Sequence, residues 1–401
     1  MKRKPIQEDD SIDSDDIPDQ STDDESESDS ANLDNLFTET AEEKKLRLTK
    51  EYIAGLKEDL SDDEAVAERL SNDYEQESGK RFAPKILQPI SSERYRAHER
   101  GWPTAFAMGN NCFYSAAKDG SIVRVTLNPR HKFDISLPSN VAVFCLAYDD
   151  LHGQLASGDE KGHITVWDAE NGIVLLELNK HSGAISGLAY QPRTYTLFSC
   201  SYDNTIRVWD CEAGNCLATL FGHTLEANAI DYLGNAVTVG SDHTLRLWKY
   251  EQEKQLVFHG GGIKGSIDCV SLFNFTYCVT GSQDGRICFW DLSKKKPVAM
   301  LKDAHGEGRW ITAISTLRFH KFFASGSYDG KIRFWRITDE NRIEQVFEYD
   351  LVGYVNDMHF SDDGEYLAVQ ISQELRFGRW LPKIQEARQG VHYIKLDKVS
   401  D

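Results

Sequence analysis

One short unit recurs through most of this chain and limits what it can fold into. Aligned on a tight-turn signal, the copies read "KDGSIVRV" from Lys118, "EKGHITVWD" from Glu160, "YDNTIRVWD" from Tyr202 and "SDHTLRLWK" from Ser241. They continue as "QDGRICFWD" from Gln283, "YDGKIRFWR" from Tyr328 and a degenerate "SQELRFGRW" from Ser372. Val125, Trp167, Trp209, Trp248, Trp290, Trp335 and Trp380 hold one place in the seven copies, at separations of 42, 42, 39, 42, 45 and 45 residues. Runs of alternating apolar residues flank each turn, the pattern of a hairpin with one buried face. Pairs such as Asp203-Asn204 and Asp284-Gly285 suit a turn that needs positive φ. A period of this length supplies about four strands, too few to bury their own apolar surface, so the units must pack as sheets around a common axis.

These repeats resemble the WD-repeat β-propeller family over residues 92–396, which implies an all-β, seven-bladed propeller. In the family pattern the turn Asp, the strand Trp, a Ser or Thr and an upstream His share hydrogen bonds inside each blade. The resemblance places three such sets here: His181, Asp203 and Trp209; His223, Asp242 and Trp248; His305, Asp329 and Trp335. Asp284 and Trp290 match in part, and the first unit departs with Val125 at the Trp place. A nucleophilic site needs one triad, whereas these groups recur once per repeat, so they read as a structural network of satisfied buried polar groups.

The rest of the sequence carries no sign of an enzyme. "HGGGIKG" from His259 lacks the Lys-Ser/Thr ending of a phosphate-binding loop and reads as an inter-blade connection. No paired carboxylates, metal-ligand spacing or cofactor fingerprint rise above the repeat, so no catalytic, metal or cofactor residue is expected. Cys112, Cys145, Cys200, Cys211, Cys216, Cys269, Cys278 and Cys288 form no CxxC pair and mostly sit in apolar runs, the pattern of buried reduced thiols.

The net charge of -19 is concentrated at one end: residues 1–80 hold 10 Lys and Arg against 26 Asp and Glu, leaving 35 against 38 for residues 81–401. The repeat region is therefore close to neutral and compatible with an anionic partner. Residues 1–38 read as a disordered acidic, Ser-rich tail, with "KRK" at Lys2 a weak import signal. Residues 39–80 read as a helical extension: Thr40 and Glu43 form a capping box, and Leu46, Ile53, Leu56 and Leu60 fall along one face. A second box at Ser61 and Glu64 starts another short helix. Helices this short need a partner for their apolar stripe, and we expect that partner to be another protein. No apolar signal segment or membrane span is present, which points to a soluble intracellular protein with no membrane contact.

Three features lie outside the generic unit: the segment from Glu39 to Leu60, "GRWITAIS" from Gly308, and "QELRFGRWLPKIQEARQGVHYIKL" from Gln373. In the last, Arg376, Arg379, Lys383 and Arg388 gather around Trp380, a mixture suited to phosphate contact and base stacking, with blade closure as the other role. Together with "SAAKDGSI" and "SGSYDGKIRFW", these features are similar to the WD-repeat subunit family of the U3 small nucleolar ribonucleoprotein. That resemblance implies a nucleolar protein that binds U3 small nucleolar RNA beside a kink-turn-binding protein at paired box B and box C elements. The other box C/D particle proteins and the small-subunit processome would be its partners, and processing of pre-ribosomal RNA its task. The competing reading is a generic protein-interaction propeller, such as a ubiquitin-ligase receptor or chromatin adaptor; "WDAE", "WDCE" and "WDLS" lack the basic residue expected after the WD pair of a ligase receptor. Ring closure is open at this stage, because either "ILQPI" near Ile86 or "GVHYIKL" near Val391 could complete the last blade.

Overall fold

The computed structural model describes residues 86–398, except 100, 110, 137–139, 261, 379 and 380. Twenty-eight antiparallel strands form seven sheets of four. Inner strands of consecutive sheets touch, and the first, Pro103–Gly109, meets the last, Tyr354–Phe360, so the sheets close into a seven-bladed propeller. All inner strands run the same way along the channel. We call the face where they begin the upper face and the opposite one the lower.

The repeat builds each blade as its pattern demands. The residue after each turn aspartate position (Gly120, Gly162, Asn204, His243, Gly285 and Gly330) has φ between 58° and 87°, the left-handed region that Gly and Asn enter at least cost. Apolar side chains alternate to both faces of each sheet, so each blade shares its core with its neighbours. Phe322 and Phe334 of the sixth blade, for example, pack in one cluster with Leu367, Val369 and Leu87 of the seventh. Blades approach closely where the second strand carries glycine: a Cβ on Gly281 would lie 2.6 Å from Ile311 Cγ2 at the start of the sixth blade.

Both candidate strands close the ring. Leu87–Tyr95 pairs antiparallel with Gly390–Lys398, which pairs with Tyr366–Ser372, giving the order outer, third, second, inner within the seventh blade. The first and last strands of the described residues thus meet in one sheet. Here the sequence reading requires a correction. The third strand of this blade begins at Gly390, so Trp380 is not its anchor. Ile394, opposite Leu367 and packed toward the sixth blade, holds the place that Trp209 holds opposite Leu197. Tyr393 beside it faces the first blade, where its ring meets Tyr95 and Phe113, each at 5.5 Å between centroids. "QELRFGRW" imitates the alternation of the other units but lies in the long connection, residues 373–389, that replaces a turn of three or four residues. The acidic tail and the expected helices, with Leu46, Ile53, Leu56 and Leu60, lie outside the described residues. Seven of the eight cysteines are buried, Cys216 is half-buried, and all are free thiols.

Candidate nucleic-acid interface

The His/Asp/Ser sets form as the repeat implies. His181 Nδ1 donates to Asp203 Oδ2 at 2.8 Å, because a carboxylate can only accept, which leaves Nε2 of the neutral ring to accept from the Ser199 hydroxyl at 2.8 Å. Ser199 Oγ in turn accepts from Trp209 Nε1 at 2.8 Å. His223, Asp242, Thr238 and Trp248 repeat this geometry, as do His305, Asp329, Ser325 and Trp335. Burial works to raise the Asp203 carboxyl, but bonds from His181, Thr205 and the Ser182 amide hold it well below the usual range. Asp242 and Asp329 are lowered in the same manner. All three histidine side chains are fully buried, so no substrate can reach them. The fifth blade keeps the bond from Trp290 to Thr280 at 2.9 Å, while Asp284 accepts from the Lys264 amide and pairs with Arg286.

One member was missed in the sequence. His98 of the first blade reaches Ser115 at 3.0 Å and Ser121 at 2.8 Å, and Ser121 bonds on to Asp119 at 2.6 Å. Burial pushes His98 down to about 4. Its distance from the turn aspartate along the chain matches that in the other sets, but a serine relays the contact and no tryptophan follows.

At the upper mouth of the channel, side chains near the start of the inner strands latch each blade to the next. Thr104, Ser186, Asn228, Thr312 and Asn356 donate to the carbonyls of Val143, Ala227, Ile267, Val355 and Pro103. The Cys145 and Cys269 thiols reach Ile185 and Ile311, each at 3.6 Å, and complete the seven junctions. Asp268, at the equivalent place in the fifth blade, accepts from Asn228 at 2.8 Å and is half-buried; the loss of solvent around its carboxyl pushes it up to about 6 against the opposing pull of Ser266, Trp310, Asn228 and Arg376.

The long connection of the seventh blade crosses this mouth. Asn356 holds it through the Glu374 carbonyl and the Arg376 amide, each at 3.1 Å. The Arg376 guanidinium stacks on Phe377 at 4.2 Å, and Phe377 meets Phe144 and Tyr202 of the second and third blades at 5.2 and 5.4 Å. Lys383 sits 2.7 Å from the buried Glu374 carboxylate and 4.2 Å above the Trp102 ring, with Lys118 on the other Glu374 oxygen at 3.4 Å. Arg388 is exposed. Arg379 and Trp380 lie outside the described residues. The basic residues of the last unit therefore have separate surroundings: Arg376 belongs to the channel mouth, Lys383 is engaged with Glu374, and Arg388 faces solvent. Among the described residues no three His, Cys, Asp or Glu side chains gather as metal ligands, and no helix is long and apolar enough to cross a membrane.

The profile of the WD domain, G-beta repeat matches residues 172–210, 214–249, 252–291 and 295–336. Over 398 aligned residues the chain is 33% identical to human U3 small nucleolar RNA-interacting protein 2, covering 90% of this chain and 83% of that protein. It is 26% identical to Ribosomal RNA-processing protein 9 of Saccharomyces cerevisiae, covering 63% of this chain and 58% of the relative. Two solved structures superpose on the fold with a TM-score of 0.73: that of U3-55K, at 32% identity, and that of the RRP9 WD40 repeats, at 33%. They cover 77% and 78% of this chain, and each is covered completely.

Proposed function

Because this chain belongs to the family of U3 small nucleolar RNA-interacting WD-repeat proteins, we propose that it is a non-enzymatic component of the U3 small nucleolar ribonucleoprotein. It binds U3 RNA and acts in the processing of pre-ribosomal RNA toward the small ribosomal subunit, in the nucleolus. The observation that carries this reading is the extent of the match to the human relative, 90% of the chain at 33% identity, well beyond the 172–336 region where the generic repeat profile matches. A shared propeller alone would leave the partner open.

At the finer level, a kink-turn-binding protein is the neighbour on the RNA, at paired box B and box C elements, and Leu46, Ile53, Leu56 and Leu60 form the face that meets a protein partner. Arg388 supplies RNA contacts at the upper face, and Arg379 and Trp380 supply others. The test is to sequence RNA crosslinked to the tagged full-length protein in cells. Enrichment of U3 RNA is expected; recovery of no small nucleolar RNA, with ubiquitin-ligase or chromatin proteins instead, overturns the reading in favour of a protein-interaction scaffold.

A further inference from the structure

The fourth blade departs from its own repeat on the lower face. In the second and third blades the connection from third to outer strand opens with Asp168 or Asp210, whose carboxylate accepts from the amides two and three residues on, followed by small buried Ala169 or Cys211. The fourth blade has Lys249 and Tyr250 at these places, and the connection becomes a 3-10 turn, Tyr250–Gln252, closed by Glu253 at φ 51°. The Tyr250 ring meets the buried Phe198 edge-on at 6.1 Å, and Tyr232 stacks on the same Phe198 at 5.1 Å. These rings, with Trp248, Gln191 and Gln252, line a cleft open to solvent.

The cleft continues into a basic edge. Gly234, on its rim, abuts the ring of Phe275, which is 37% exposed in the first turn of the fifth blade. The carbonyl of the next residue, Thr276, accepts from the Leu292 amide at 2.8 Å, and the exposed Lys294, Lys295 and Lys296 follow directly. Lys294 pairs with Asp291, whereas Lys295 and Lys296 have no carboxylate partner among the described residues.

We infer that this lower-face track, from Tyr250 and Tyr232 through Phe275 to Lys295 and Lys296, binds an unpaired RNA segment, with one base in the cleft and the backbone along the lysines. Flat aromatic walls with amide groups at the edge suit a nucleobase of any identity, since each base has a π-face and polar edges. Unpaired ammonium groups beyond an exposed ring suit the phosphates that follow. The inference rests on the proposed function and adds a second face to it, separate from the seventh-blade connection above.

The test uses the full-length protein and U3 small nucleolar RNA carrying 4-thiouridine. Photocrosslinks are expected on Tyr250, Tyr232 or Phe275. Tyr250→Ala should weaken binding about tenfold, the loss of one stacked base. Lys295→Glu with Lys296→Glu should lower the slope of log affinity against log salt by about 1.4, two single-strand phosphate contacts, with an unchanged melting temperature. Should Tyr250→Ala lower the melting temperature, the lysine pair and the crosslinks on the unaltered protein decide. Wild-type affinity and slope in the lysine variant, with crosslinks only elsewhere, overturn this track and leave the proposed function standing. Loss of a particle protein with RNA affinity intact also overturns it, by assigning the face to a protein. Failure of the unaltered protein to bind U3 RNA overturns the function itself.

Discussion

Lys383 Nζ lies 2.7 Å from Glu374 Oε1, and the carboxylate is the buried partner: its side chain is 2% exposed against 50% for the lysine. Burial works to raise Glu374, while Lys383 and Lys118 together hold it below the usual carboxylate range. Lys383→Met should therefore cost more than an exposed pair does, about 1–3 kcal/mol by denaturant titration, because it leaves a buried charge undercompensated. Adding Glu374→Gln should restore most of that loss. Equal losses in the single and double variants would show that Lys383 contributes through the Trp102 ring instead.

The five hydroxyls that accept from an indole N–H (Ser157, Ser199, Thr238, Thr280 and Ser325) are interchangeable in kind. Ser199→Ala removes one acceptor and strands two buried groups, Trp209 Nε1 and His181 Nε2. A loss of about 2–4 kcal/mol in unfolding free energy is expected, with Ser199→Thr close to wild type. A fall in RNA affinity from Ser199→Ala at a temperature where it stays folded would contradict a purely structural role.

Gly281→Ala tests how tightly the blades are set. The added methyl would meet Ile311 Cγ2 at 2.6 Å and Cys269 Sγ at 2.7 Å, both in fully packed surroundings. Overpacking of this kind costs about 1–3 kcal/mol, seen as a lower denaturation midpoint at unchanged m-value. Reducing Ile311 to Val in the same chain should recover part of it.

Asp268 and His98 make opposite contributions to stability against pH. Burial raises the Asp268 carboxyl from 3.8 to about 6, so the folded state holds its proton more tightly and the group's contribution falls as pH rises from about 4 to 6. Burial lowers His98 from 6.5 to about 4, so the folded state favours the neutral ring and stability falls as pH drops from 6.5 toward 4. The two largely cancel within that window. Asp268→Asn removes the first alone: it should stabilise the protein at pH 7.5 by up to about 3 kcal/mol, give no gain at pH 4, and expose the His98 slope between. Melting temperatures of the two proteins from pH 4 to 7.5 check the sign.

The outer strand of the seventh blade comes from the start of the propeller, and Leu87 is fully packed in its core. Removing the chain through Tyr95 should leave Gly390–Lys398 as an edge strand, with a lower melting temperature and aggregation on concentration. Removal with no change in melting temperature would show that the ring does not depend on this closure.

Much of this was written in the sequence, for a local reason. A hairpin turn, an alternating strand and a Trp with its hydroxyl partner are each specified within about ten residues, and five of the seven blades carry all three. Seven blades, the three full His/Asp sets and the buried thiols follow from that repetition. What depended on contacts between distant residues was not legible. His98 reaches its aspartate through Ser121, Ile394 takes the Trp place only because a strand begins at Gly390, and "ILQPI" and "GVHYIKL" proved to be neighbours in one sheet. The basic cluster of the last unit divided because burial of Glu374 and stacking on Phe377 each took one of its charges. The cleft at Tyr250 exists because the fourth blade sets Tyr232 and Tyr250 against Phe198 of the third, a contact between blades that neither repeat states by itself. Local periodicity determined the fold and the number of its parts; only the closed ring, which brings residues hundreds of positions apart within hydrogen-bonding distance, decided which side chains remain free to meet a partner.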